Sequence, residues 1–98
     1  MQLKRTSKLL AKASEENYYV MIYRDTPVVY MDRLESIITL KHDGWHTKAT
    51  AAAMNYALED LYPEGGQRVS LRNGELMLDK TTPIENGDIF NYSDLEVA

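Results

Sequence analysis

The run Ser36-Ile37-Ile38-Thr39-Leu40-Lys41-His42-Asp43-Gly44-Trp45-His46-Thr47, continuing into the alanine-rich stretch at 48–61, constrains the fold more than any other part of the chain. β-Branched residues at 37–39 predict a strand, Asp43-Gly44 a sharp turn with a positive φ, and Thr47 the start of a helix. The Thr47 hydroxyl can accept from amides two or three residues on, and no β-branched residue interrupts 51–61. Ala51, Met54, Leu58 and Leu61 recur at spacings of three, four and three, one apolar stripe that must pack on a sheet. Pro63 and Gly65-Gly66 close the segment, so the predicted helix covers 47–62.

Around this unit the chain reads as short strands. Residues 17–24, Asn-Tyr-Tyr-Val-Met-Ile-Tyr-Arg, are aromatic and β-branched; Asp25-Thr26-Pro27 predicts a turn, and Val28-Val29-Tyr30-Met31 a second strand of an antiparallel hairpin. Alternation sets Tyr19, Met21 and Tyr23 on one face and Tyr18, Val20 and Ile22 on the other. Both faces are bulky, which suits a strand covered on both sides or one face held for a partner. Asn73-Gly74 between residues 68–72 and 75–79 is the preferred pair of a type I′ hairpin. Thr81-Thr82-Pro83 is expected to break the second arm, Asn86-Gly87 to turn the chain into a last strand at 88–92, and the tail to Ala98 to be loose. Residues 3–13 mix helix formers with Lys4, Arg5, Lys8 and Lys12, predicting a basic arm or short helix over 1–15. The expectation is one α+β domain spanning 1–98. It has a mainly antiparallel sheet of five or six strands, from 17–40 and 67–92, with one central helix packed on it and a short amino-terminal helix.

Composition removes several classes of function. Cysteine is absent, so there is no disulfide, thiolate metal site or cysteine nucleophile. Acidic residues interrupt any signal-peptide core and no apolar run could span a membrane, which points to a cytosolic protein without membrane contact. No Gly-x-Ser-x-Gly occurs, and Gly65-Gly66 lacks the Lys-Ser or Lys-Thr of a phosphate loop. These absences predict a non-enzyme with no cofactor. The net charge of −4 is unevenly spread: residues 1–50 hold 8 basic against 6 acidic side chains, and 51–98 hold 3 against 9. A basic amino-terminal part can meet phosphate or an acidic partner, and the acidic half repels nucleic acid.

The sequence Leu40-Lys41-His42-Asp43-Gly44-Trp45-His46-Thr47-Lys48-Ala49-Thr50, followed by Met54-Asn55 and Leu58, resembles a group of small, mostly bacteriophage-encoded proteins of unknown function. In these an aromatic hairpin with a Thr-Pro turn leads to a strand, a Gly-Gly-Trp-x-Thr-x-Thr-Thr turn and a helix containing Met-Asn or Ile-Asn. The resemblance covers about residues 18–58. Asp43 replaces the first glycine, Ala49 one of the paired threonines, and Ala51, Ala52 and Ala53 the basic residues usual in the first helical turns. Only Lys48 remains of that cationic start, which demotes nucleic acid as a partner.

His42, Asp43 and His46 fall within five residues and are of types that bind zinc, but no third strong ligand accompanies them, so no metal is expected. Trp45 is expected to fold over the helix start as a clasp between sheet and helix. The alternative is a contact patch with His42, His46 and Lys48. The tyrosines at 18, 19, 23 and 30 suit packing better than base stacking, since only Arg24 and Arg33 interleave with them. The resulting expectation is a phage accessory protein of the host cytoplasm that binds a host or phage protein. Its acidic face, Glu59, Asp60, Glu64, Glu75, Asp79, Glu85 and Asp88, would inhibit a nucleic-acid enzyme by imitating phosphates. The rival is a nucleic-acid-binding module using the amino-terminal lysines, Arg24, Arg33, Lys41 and Lys48. Exposed hairpin edges would also permit a homodimer.

Overall fold

The computed structural model describes residues 4–5, as backbone, and 9–96. Among the described residues nine strands, one α-helix and a 3₁₀ turn follow in the order β1 (Lys4–Arg5), β2 (Leu10–Ser14), β3 (Tyr18–Tyr23), β4 (Thr26–Asp32), β5 (Ile37–Leu40), α1 (Lys48–Leu61), β6 (Val69–Arg72), β7 (Glu75–Leu78), β8 (Thr82–Pro83), β9 (Asp88–Asn91) and the 3₁₀ turn Tyr92–Leu95. The class is α+β with antiparallel pairing throughout, as the short connections require. The expected single sheet is two, however. β1-β2-β3-β4-β5-β9 form one and β6-β7-β8 a second.

The expected amino-terminal helix is replaced, over its described part, by a strand. Leu10 lies opposite Tyr23 and Ala13 opposite Val20, so the sequence Leu-Ala-Lys-Ala-Ser is read with a period of two. The helix propensity of alanine and lysine, a few tenths of a kcal/mol per residue, yields to the ladder offered by β3. Residues 1–3 and 6–8 of the expected arm lie outside the described residues.

The β3–β4 turn also differs from its expectation. Arg24 and Asp25 take φ of 49° and 65°, the sign a two-residue type I′ connection needs, and Thr26 and Pro27 are already in β4. Proline is tolerated there because the β5 ladder ends at Leu40 opposite Val29, leaving no partner that would need its missing N–H. Pairing shifts between Met21 and Ile22, and Val28 has no partner on β3. This bulge lets the consecutive residues Val28 and Val29 both be buried.

Across the large sheet, Tyr19, Met21, Met31, Ile38 and Leu40 share the face that meets Ala51, Met54, Leu58 and Leu61 of α1, and the helical stripe is buried as its spacing predicts. Val69, Leu76 and Leu78 of the small sheet, with Ile84 just after it, close the same core. Two polar devices hold α1 in place. Asn55 pairs with the Val69 backbone, its Oδ1 accepting from Val69 N at 2.7 Å and its Nδ2 donating to Val69 O at 2.8 Å. On the other flank Asp60 Oδ2 accepts from the Tyr19 hydroxyl at 2.6 Å and from Lys12 Nζ at 2.8 Å.

The carboxy-terminal segment is ordered rather than loose up to residue 96. Leu95 is buried and its carbonyl accepts from Gln67 N at 2.9 Å. Tyr62 and Tyr92 stack with ring centroids 4.7 Å apart, the Tyr62 hydroxyl donating to Tyr92 O and the Tyr92 hydroxyl to Leu61 O. That last bond satisfies one of the carbonyls a helix leaves open at its end. Residues 97–98 of the expected loose tail lie outside the described residues.

Candidate functional site

The turn at 42–47 is built as a rigid loop. Asp43 and Gly44 have φ of 53° and 86°, and Trp45 N donates to His42 O at 2.9 Å, closing a two-residue turn. Thr47 then caps α1, its Oγ1 accepting from Thr50 N at 3.1 Å. From outside, Asn86 Oδ1 accepts from Asp43 N at 2.8 Å, tying the turn to the loop before β9.

His42 is the pin of this loop. Only 6% exposed, it accepts from Gly44 N at Nδ1, 2.9 Å away, which leaves the ring proton of the neutral form on Nε2. The His46 ring lies tilted 4.3 Å from it. Burial, and next the neighbouring His46, lower the pKa of His42; the nearby Ile84 backbone, Asp43 and Asp88 oppose them without reversing the direction. The lowered pKa favours the neutral ring, and its Nδ1 is engaged by Gly44 N, so that nitrogen serves the turn.

A consequence follows for stability. Because the folded pKa lies below the ordinary 6.5, the unfolded chain binds more protons once the pH drops under that value. Stability is whole above pH 6.5 and falls with acidification, with a slope of at most about 1.4 kcal/mol per pH unit. His42→Asn, whose Oδ1 can take the Gly44 proton, should flatten that slope in urea unfolding measured from pH 7 to 5. An unchanged slope would mean that His42 is not the group responsible. The Asp60 carboxyl titrates in a separate window. Burial opposes its ionisation, but Lys12 and Tyr19 outweigh this and lower its pKa from 3.8, so its contribution is lost only below that pH.

Beside the pinned loop lies an open hollow of about 340 Å³ lined by His42, His46, Glu75, Leu76, Pro83, Ile84, Glu85 and Asn86. The tertiary structure thus brings two of the predicted acidic residues, Glu75 and Glu85, to the two histidines. Trp45 departs from the expected clasp over the helix start: it is 53% exposed. Met54, Leu58 and Leu40 are fully buried although the indole stands outside, so it is not needed to close the core. Lys48 is likewise exposed on the first residue of α1.

The remaining predicted acidic residues do not form one face. Glu64 joins Glu96 around a second hollow with Leu61 and Tyr62. Asp60 is committed to Lys12 and Tyr19, Asp88 accepts from Glu85 N, Glu59 is exposed on α1, and Asp79 is exposed in the β7–β8 turn. The cations of the rival reading are dispersed too. Strand pairing sets Arg24 and Lys41 at one end of the large sheet and Arg33 at the other. Among the described residues no group of three or more His, Asp or Glu side chains could hold a metal ion, and no helix is long and apolar enough to cross a membrane.

Sequence reasoning missed Asn55 and the neutral state of His42. An asparagine inside the otherwise apolar run 51–58, in the Met54-Asn55 pair of the resemblance, was the available signal for the first. No family model matches the chain, and no curated protein or solved structure is detectably similar to it.

Proposed function

We propose that the chain is a non-catalytic accessory protein, phage-encoded and acting in the host cytoplasm, that binds a host or viral protein through the Trp45 turn. The observation that carries this reading is a half-exposed tryptophan on a loop whose backbone is held at both ends, by His42 and by the Thr47 cap. A rigid aromatic side chain loses little entropy when covered, which is why tryptophan dominates interface energetics. The resemblance of residues 18–58 to small phage proteins supports the setting. The partner surface is basic: Glu75 and Glu85 flank the hollow beside the turn, and a cationic segment there would find carboxylates and an indole together. A basic cleft of a nucleic-acid enzyme has this chemistry, which makes inhibition of such an enzyme the specific form of the proposal. The scatter of Arg24, Lys41 and Arg33 counts against a nucleic-acid track.

Affinity capture from host lysate at low salt, with the wild-type chain and Trp45→Ala side by side, tests the proposal. The variant should change stability by less than about 0.5 kcal/mol, because the indole lies on the surface. It should weaken capture by at least about tenfold, as removal of a hot-spot residue does. Absence of any stoichiometric protein with the wild type would overturn the reading. So would tight oligonucleotide binding that weakens steeply with salt, which belongs to the rival.

A further inference from the structure

The outer face of α1 carries a pattern that its packing on the sheets leaves unused. Lys48, Ala49, Ala52, Tyr56 and Glu59 are all exposed and stand on one side of the helix. Beside them an apolar groove of about 310 Å³ runs between α1 and the strand end formed by Leu9, Leu10 and Tyr23, with Ala49, Ala52, Ala53 and Tyr56 along the helical wall. Tyr56 is 59% exposed at the rim. A protruding phenol and an alanine-lined depression thus lie one helical turn apart on the same surface.

The charges on this face oppose the helix dipole. The first turn of α1 holds a lysine and no acid, and the last turn holds Glu59 and Asp60 and no base. Asp60 is compensated by Lys12. Among the described residues Lys48 and Glu59 have no ion-pair partner, so the unfavourable placement is left standing within one copy.

We infer that this face is the contact of a two-fold homodimer, in which α1 packs antiparallel on α1 of a second copy. Residues 52 and 56 are equidistant from position 54, and residues 48 and 59 nearly so. A two-fold axis at that level therefore sets Tyr56 over the partner's Ala52 and Lys48 against the partner's Glu59, twice each. Each tyrosine enters the other copy's alanine groove, where the missing side-chain bulk allows the helices to come close. The two ion pairs lie about 16 Å apart along each helix. Antiparallel helices also bring opposite dipole ends together, which relieves the placement of Lys48 and Glu59. A foreign partner would need to match only one knob or one charge. A second copy matches all of them, because each feature has its complement on the same surface. This contact is separate from the Trp45 turn and does not depend on the function proposed for it.

The full chain, followed by light scattering and sedimentation from about 1 μM to about 1 mM, tests the inference. One helical face with a groove is a small interface, so a dimer should form toward the upper end and dissociate on dilution. Ala52→Arg should abolish it with the circular dichroism spectrum unchanged, since the site is exposed and arginine is a good helix former. Lys48→Glu and Glu59→Lys should each weaken association by about tenfold, and the two together should restore it. A monomer at every concentration would overturn the inference. A dimer indifferent to Ala52→Arg would do the same and would place the contact on strand edges. Failure of the double exchange to restore association would remove the antiparallel register.

Discussion

Asn55→Ala should lower the unfolding free energy by about 3 kcal/mol, the loss of two hydrogen bonds together with exposure of two buried backbone groups to no partner. The pair it removes is unusual: a helical side-chain amide completes the backbone of β6 at Val69, donating at 2.8 Å and accepting at 2.7 Å. Val69 is buried, so water cannot readily take over either bond. The amide also fixes the distance between α1 and the small sheet, so its loss is felt in packing as well as polarity. Asn55→Asp separates these effects. It keeps an acceptor for Val69 N but offers no donor to Val69 O, and should recover less than half of the alanine deficit. Urea unfolding monitored by circular dichroism measures both. A deficit below about 1 kcal/mol for the alanine variant would mean that solvent replaces the pair.

Gly66→Ala is expected to cost about 3 kcal/mol as well, from a disfavoured backbone conformation and a steric clash acting together. Gly66 has φ +105°, and a Cβ built there would stand 2.7 Å from the Leu95 carbonyl oxygen and 3.3 Å from Tyr62 Cβ. The carbonyl cannot retreat freely because it accepts from Gln67 N, and the segment that carries it is held by the Tyr62–Tyr92 stack. Gly65→Ala is the control. Its φ is +131° with nothing within 4 Å of the added carbon, so it bears the conformational cost alone. Thermal unfolding of the two variants should differ by the clash. Limited proteolysis should cut the Gly66 variant first at the carboxy-terminal segment, which loses its seat. Equal melting temperatures would show that the Leu95 segment shifts without penalty.

The parts legible in the sequence are those where one residue type has one local use. Thr47 could cap a helix, Asn73-Gly74 could form a type I′ turn, and the stripe Ala51, Met54, Leu58 and Leu61 could be one buried face, and all three are found so. Other turns carried no such mark. Arg24-Asp25 and Asp79-Lys80 take positive φ although arginine and lysine seldom adopt it, because the twist of the strands they join demands that hand of turn. The helix expected at the amino terminus failed for the same reason in reverse: a propensity of tenths of a kcal/mol was set against a full ladder of hydrogen bonds to β3.

The candidate site divides along the same line. Local sequence is enough for the turn that carries His42, Trp45 and His46, and for the charge bias that sets acidic residues in the second half of the chain. Tertiary packing makes His42 a buried neutral pin, brings Glu75 from the small sheet and Glu85 from the β8–β9 loop beside it, commits Asp60 to Lys12 and Tyr19, and leaves Trp45 outside the core. The physical reason is that turns and caps follow from dihedral preferences and bonds a few residues long, which local sequence encodes. Burial and ionisation depend on which distant groups fill the same space, and that is settled only when the two sheets close around the helix.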